Sequence, residues 1–152
     1  RLCRDWSSDV CSSDLNDLVA VNSKLKDKEE AFDALKDHYK LERETRDLID
    51  AHVRAISDAI ETKDIEYLKL AVSSDVEVMS DRLVFEDGLT FPIVARNYDF
   101  VLEQIYYTLY ENNVQFFTEY MLINDSEEYL RTYRFEFVNE KGMWKLKELM
   151  QR

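Results

Sequence analysis

The side chains that could carry chemistry are tyrosines and charged residues in the second half of the chain. A carboxylate beside a tyrosine can move protons on a small molecule when burial separates their pKa values. The sequence contains no spacing that assigns such roles, so we assign no residue to catalysis. We take five side chains as candidates for lining a ligand pocket: Tyr98, Tyr120, Tyr129, Arg131 and Tyr133. Their possible charged partners are Asp75, Asp99 and Glu119.

Arg131 is the least expected of these candidates, because it shares one face of a predicted strand with the aromatic residues Tyr129, Tyr133, Phe135 and Phe137. An unpaired charge on a fully buried face costs several kcal/mol. Arg131 therefore either lines an open pocket, where it could bind an anionic ligand, or lies near a strand end in solvent.

Metal and cofactor chemistry have no support in the sequence. His38 and His52 share a helical phase, but no carboxylate cluster lies at ligand spacing around them, so we interpret both as residues at the edge of an apolar stripe. No Ser-His-Asp arrangement, phosphate-binding loop or metal motif can be assembled. We predict neither a metal nor a cofactor.

Residues 1–15 resemble the translated sequence of a short-read sequencing adapter, and the match runs from Asp5 to Leu15. We therefore expect this segment to be non-native and to pack poorly. Both cysteines, Cys3 and Cys11, lie in it, so the remainder offers no thiol for a disulfide, a zinc site or a nucleophile. On this interpretation any upstream signal or anchor is missing.

The charge of the chain limits its partners. The formal net charge is −12, which opposes binding to a phosphate backbone or to an anionic membrane surface. No run of about eighteen apolar residues occurs, so we predict no membrane contact by these residues. The aromatic concentration between Tyr106 and Tyr120 then favours a core or a dimer face over nucleic-acid stacking. We divide the remaining chain into a helical lead-in or coiled-coil spacer, 16–45, and one domain, 46–152.

The lead-in continues without Gly or Pro to about Thr62 and has a heptad pattern. Ten of its thirteen seam positions are apolar, and the exceptions are Lys28, Glu42 and Arg46. We expect two helices, or one long bent helix, with a break near 41–45. The first half is either a coiled-coil stalk or dimer seam, or an amphipathic helix that packs on its own or a missing domain. The seam positions are Leu18, Val21, Leu25, Lys28, Phe32, Leu35, Tyr39, Glu42, Arg46, Ile49, Val53, Ile56 and Ile60.

The domain is predicted to be α+β. Asp64 should cap a short helix that ends at Ser73-Ser74. Asp87-Gly88 predicts a two-residue hairpin whose second strand, containing Pro92, lies at a sheet edge. The other predicted elements are a short strand at 76–79, a helix begun by Asn97 with the stripe Tyr98, Val101, Leu102, Ile105 and Leu109, and three long antiparallel strands at 114–124, 128–139 and 143–150.

Alternation along the last strands sets their faces. The aromatic side of 129–138 should face inward, and Trp144 and Leu146 should do the same, while Lys145 and Lys147 face water. We expect a strongly curved, mostly antiparallel sheet that wraps around a helix.

Two segments carry a family resemblance. Residues 53–64, Val-Arg-Ala-Ile-Ser-Asp-Ala-Ile-Glu-Thr-Lys-Asp, and residues 134–146, which end in Gly-Met-Trp-Lys-Leu, resemble the nuclear transport factor 2-like (SnoaL-like) superfamily. The resemblance covers about 46–150 and implies a cone-shaped fold, in whose floor an enzyme would place a base beside a tyrosine. The superfamily includes isomerases and dehydratases alongside non-catalytic domains, some of them extracytoplasmic and membrane-anchored in Gram-positive bacteria. Fold alone does not choose between them.

We therefore expect a non-catalytic binding or assembly module that dimerises or holds a small ligand or peptide in the cone. A membrane-anchored, extracytoplasmic protein would suit the stalk-and-domain layout. The alternative is a small-molecule isomerase or dehydratase with a Tyr/carboxylate pair. The module hypothesis fails if a structure shows a water-accessible cavity into which a tyrosine and a carboxylate converge within hydrogen-bond reach.

Overall fold

The structure, a computed structural model, describes residues 8–94, 100–110, 112–124 and 129–152, with side chains described for 15–94, 101–110, 112–123 and 131–152. The chain divides into two compact units, Arg1–Leu41 and Glu42–Arg152. Of the adapter-like segment, residues 1–7 lie outside the described residues, and residues 8–15 are the first turns of a helix whose Leu15 is exposed. No helix in the described part of the chain is long and apolar enough to cross a membrane.

The first helix, α1, spans Ser8–Thr62 without interruption. Of the two predicted alternatives, two separate helices are therefore wrong, and one long helix is observed. No Gly or Pro interrupts this stretch, so the backbone hydrogen bonds continue even where polar residues occupy the seam. The helix ends where Lys63 adopts a left-handed φ of 57° and the amide of Asp64 donates to the carbonyl of Ala59.

The second helix, α2, spans Ile65–Ala71 and confirms the predicted short helix. The side chain of Asp64 accepts a hydrogen bond from the amide of Tyr67 at 3.0 Å, which is the predicted N-cap. Leu68 of this helix is fully buried.

Three short strands form the smaller sheet: β1 (Glu77–Val78), β2 (Arg82–Val84) and β3 (Thr90–Pro92). They are antiparallel in the order β1-β2-β3, so Pro92 lies on an edge strand, as predicted. The hairpin also forms, but its turn is longer than predicted. The amide of Phe85 donates to Leu89 and the amide of Gly88 to Phe85, which leaves a three-residue loop with a left-handed Gly88 at φ 83°.

Four long strands form the larger sheet: β4 (Phe100–Leu109), β5 (Gln115–Asn124), β6 (Tyr129–Glu140) and β7 (Met143–Gln151). They are antiparallel in sequence order. The last three confirm the predicted meander. Lys141 and Gly142, both with positive φ, form a two-residue turn between β6 and β7.

The predicted helix after Asn97 is wrong, because residues 100–109 form β4; Asn97 and Tyr98 lie outside the described residues. The pairing of β4 with β5 shifts register between Gln104 and Tyr106. One extra residue reverses the alternation, so the inward positions are Leu102 before the bulge and Leu109 after it. Apolar residues on either side of such a bulge have the spacing of a helix.

The core confirms the predicted faces. On β6, Tyr133, Phe135 and Phe137 are buried, and on β7 Trp144 and Leu146 are buried. These side chains share one apolar cluster with the second half of α1. The α+β class is confirmed. The described strands, however, form two separate antiparallel sheets rather than one curved sheet wrapped around a helix.

Candidate functional site

The most unusual feature of the first unit is an exposed apolar stripe on α1. Its six members recur at seam positions, and each is between 50% and 66% exposed. Monomeric proteins rarely leave contiguous apolar surface of this kind in water. We call this set the outer stripe: Leu18, Val21, Leu25, Phe32, Leu35 and Tyr39.

The same seam is buried further along the helix, in the second unit. Ile49, Val53 and Ile56 are fully buried and Ile60 is nearly so. We call these four residues the inner stripe. In the sequence, the two stripes keep one heptad phase.

Two polar seam residues precede the inner stripe, and both contact strand β4. Glu42 Oε1 accepts a hydrogen bond from the amide of Leu109 at 2.9 Å. Arg46 Nε donates to Gln104 Oε1 at 2.7 Å, and its guanidinium lies 5.2 Å from the centre of the Tyr107 ring. Two of the three residues that weaken the heptad pattern, Glu42 and Arg46, therefore attach the helix to the sheet.

One turn further along, a tyrosine and a carboxylate meet. The hydroxyl of Tyr120, which is fully buried, donates to Asp50 Oδ1 at 2.7 Å. Arg54 holds the same carboxylate in a bidentate contact, from Nε at 2.9 Å and from Nη2 at 3.2 Å. Arg54 also donates to the carbonyl of Leu102 at 3.4 Å.

This contact sets the charge states of both partners. Burial alone would raise the pKa of Asp50, but hydrogen bonds from Arg54 and Tyr120, together with the positive charge of Arg54, outweigh it and lower the pKa. Burial raises the pKa of Tyr120, and the hydrogen bond to Asp50 raises it further. The pair therefore stays as a carboxylate and a neutral phenol at neutral pH. A general base needs a pKa nearer to the working pH than this carboxylate has.

An open cleft of about 480 Å³ lies beside the pair. Asp50 lines it, whereas Tyr120 is not among its lining residues. Two arginines and three carboxylates surround the cleft, so their charges nearly cancel and give no preference for an anion. The lining residues are Arg46, Asp47, Asp50, Arg54, Val101, Leu102, Glu103 and Gln104.

The structure describes the side chains of three of the five pocket candidates chosen from the sequence: Tyr120, Arg131 and Tyr133. Tyr98 lies outside the described residues, and only the backbone of Tyr129, in β6, is described. Arg131 is exposed and donates to Gln151 Oε1 at 2.9 Å, near the end of β7. Tyr133 is buried, with its ring 6.0 Å from that of Phe91. Tyr133 on β6 is also the register partner of Tyr120 on β5, so these two candidates lie side by side in the larger sheet.

Sequence reasoning missed Asp50, Arg54 and Arg46 as members of a polar site. The four-residue spacing of Asp50 and Arg54 places them on one helix face and could have identified that pair. The third partner, Tyr120, is 70 residues from Asp50, and no local pattern links the two.

Neither histidine lines this cleft. His38 contacts the ring of Tyr39 at 6.0 Å, and the pKa of His52 is lowered by burial and by the nearby charge of Lys145. Among the residues that the structure describes, no group of three or more His, Cys, Asp or Glu side chains is placed to hold a metal ion.

Comparison with known proteins adds no family. No protein-family model, no curated protein and no solved structure matches this chain. The function must therefore be argued from the outer stripe and the Asp50 cleft.

Proposed function

We propose that this chain is a non-catalytic assembly module, which associates with another helix through the outer stripe and carries an α+β domain from Glu42 onward. The observation that carries this proposal is the exposure of apolar side chains at six of the seven seam positions between Leu18 and Tyr39. Their phase matches that of the inner stripe, which is packed in a core.

The physical reason lies in how a helix gains stability. Most helical stability in proteins comes from packing an apolar face, and not from the propensity of its residues. Within the described residues of the first unit, α1 is the only element, so that unit offers the outer stripe no second element to pack against. Burying a large apolar side chain such as Leu25 or Phe32 contributes about 1.5–3 kcal/mol. A second helix would provide that burial.

Self-association of the full chain tests this proposal. We expect sedimentation velocity to show an oligomer for the native sequence and a monomer for Leu25→Asp, because a buried carboxylate in the seam is costly. Val19→Asp is the matched control, since Val19 is 68% exposed on the same helix but lies off the stripe. A native chain that stays monomeric at high micromolar concentration would refute association with a second copy, and equal effects of the two variants would refute the stripe.

The family resemblance extends this proposal to the domain. The order of α1 and α2 before the strands, and the turn at Lys141-Gly142 ahead of Met-Trp-Lys-Leu, support a nuclear transport factor 2-like domain. Like some non-catalytic members of that superfamily, the protein would act outside the cytoplasm on a membrane anchor. Sequencing the uninterrupted gene tests both the anchor and the foreign origin of residues 1–15.

A small-molecule enzyme is the second candidate, and one observation favours it. Tyr120 and Asp50 lie within hydrogen-bond reach, and Asp50 lines an open cleft. It ranks second because the tyrosine is fully buried and both oxygens of the carboxylate are bound by Arg54. Carbon-detected NMR titration decides between the two roles: a base would have a pKa near neutrality, whereas we expect the Asp50 carboxyl to titrate below 3.8.

A further inference from the structure

We propose that the partner of the outer stripe is a second copy of this chain, aligned parallel and in register. This inference rests on the assembly function proposed above and adds the identity and orientation of the partner. It is carried by the residues that flank the stripe, in particular Lys24 and Glu29.

Lys24 and Glu29 are charge-complementary at the spacing that a parallel pair requires. Lys24 directly precedes the seam residue Leu25, and Glu29 directly follows the seam residue Lys28. In a parallel two-stranded coiled coil, these two flanking positions face each other across the interface when they are five residues apart. Lys24 of each copy then faces Glu29 of the other, which gives two ion pairs per dimer.

Other alignments lose these pairs. In an antiparallel pair, a residue that precedes a seam residue faces another that precedes one, and a residue that follows a seam residue faces another that follows one. In the antiparallel alignment that overlaps residues 18–35, Lys24 therefore faces Ala31 and Glu29 faces Asn22. A parallel pair displaced by one heptad sets Lys24 against Lys36 and Asp17 against Glu29, both of which are like-charge contacts. Of these three alignments, only the parallel, in-register one pairs opposite charges.

The apolar layers are compatible with this alignment. Each outer-stripe residue meets its own copy, so Leu25 packs on Leu25 and Phe32 on Phe32. Lys28 is the one polar seam residue within the outer stripe, and it costs stability, as polar seam residues do in coiled coils. Its long side chain lies next to Glu29 of the other helix in the same arrangement, which lessens that cost.

Charge reversal in the full chain tests orientation. Lys24→Glu alone and Glu29→Lys alone should each weaken the dimer by about tenfold or more, because two ion pairs become two like-charge contacts. The double variant should restore native affinity, and mixing the two single variants should give a heterodimer. Lys26→Glu, the same charge change away from the interface, should leave dimerisation within about twofold. A dimer whose affinity changes with neither charge reversal would overturn the parallel alignment.

A cysteine probe gives an independent measurement. In a Cys3→Ser/Cys11→Ser background, Val21→Cys should form an intermolecular disulfide with oxidised glutathione, because seam residues of equal number meet in a parallel pair. An antiparallel pair sets Val21 against Phe32 and should form none. A dimer that does not cross-link refutes the orientation alone, whereas a chain that is monomeric throughout refutes a second copy as the partner.

Discussion

The carboxylate of Glu42 accepts a hydrogen bond from the backbone amide of Leu109 at 2.9 Å, and it does so from a position that an uninterrupted heptad would fill with an apolar residue. The amide of Tyr110, next in the chain, donates to Gln115 on β5. Because successive amides of a strand point to opposite sides, Leu109 directs its amide to the open edge of β4. Glu42 therefore occupies an edge group that another strand could otherwise pair with.

We predict that Glu42→Leu destabilises the domain by about 1–3 kcal/mol, because the amide of Leu109 loses its partner in a half-buried place. Urea unfolding followed by the fluorescence of Trp144 measures this change. Glu42→Gln should recover most of the loss, since its amide oxygen can still accept the hydrogen bond. Equal losses in both variants would show that the charge matters and the hydrogen bond does not.

Shortening an apolar side chain of the seam should affect domain stability in the second unit and self-association in the first. Ile56→Ala should lower the free energy of unfolding by about 2–5 kcal/mol, because it removes packing from a fully buried site. Leu35→Ala should leave the unfolding of the domain unchanged and should weaken self-association, since Leu35 is 50% exposed. Denaturation of dilute, monomeric samples separates the two effects, and a large loss of domain stability in Leu35→Ala would contradict this division.

Acid should weaken the domain partly through Asp50. Its pKa in the folded state is lowered from the ordinary value of 3.8, so the folded state prefers the carboxylate. The stabilisation is complete above that value and is lost as the pH falls through the lower, folded value. We expect the difference in stability between the native chain and Asp50→Asn to shrink below about pH 4. Parallel acid denaturation curves for the two proteins, with a constant difference throughout, would contradict this.

Replacing the polar seam residue Lys28 should strengthen assembly. We expect Lys28→Leu to tighten dimerisation by at least about tenfold, because an apolar residue in the seam contributes burial where the lysine contributes little. Sedimentation equilibrium measures the change. Lys26→Leu makes the same change at a position that faces away from the interface and serves as the control. An unchanged affinity for Lys28→Leu would place residue 28 outside the interface.

Local rules explain what could be predicted from the sequence. The Asp64 cap depends on residues three apart, and the alternation along β6 and β7 depends on the two-residue period of a strand. The prediction failed for strand β4, because the bulge between Gln104 and Tyr106 moves the inward-facing positions from one alternation to the other. The apolar residues on its two sides then have a helix-like spacing. Pairing with β5, which lies later in the chain, determines the strand.

By itself, then, the sequence determined the α+β class, the heptad phase of α1 and the three C-terminal strands, since each is encoded in the spacing of neighbouring residues. Only the tertiary structure decided that the seam is exposed up to Tyr39 and buried from Ile49 onward, and that Asp50 meets Tyr120. Exposure and long-range hydrogen bonds depend on which distant segments pack together. A repeating sequence pattern shows that one face of a helix is apolar, but it does not show which segment covers that face.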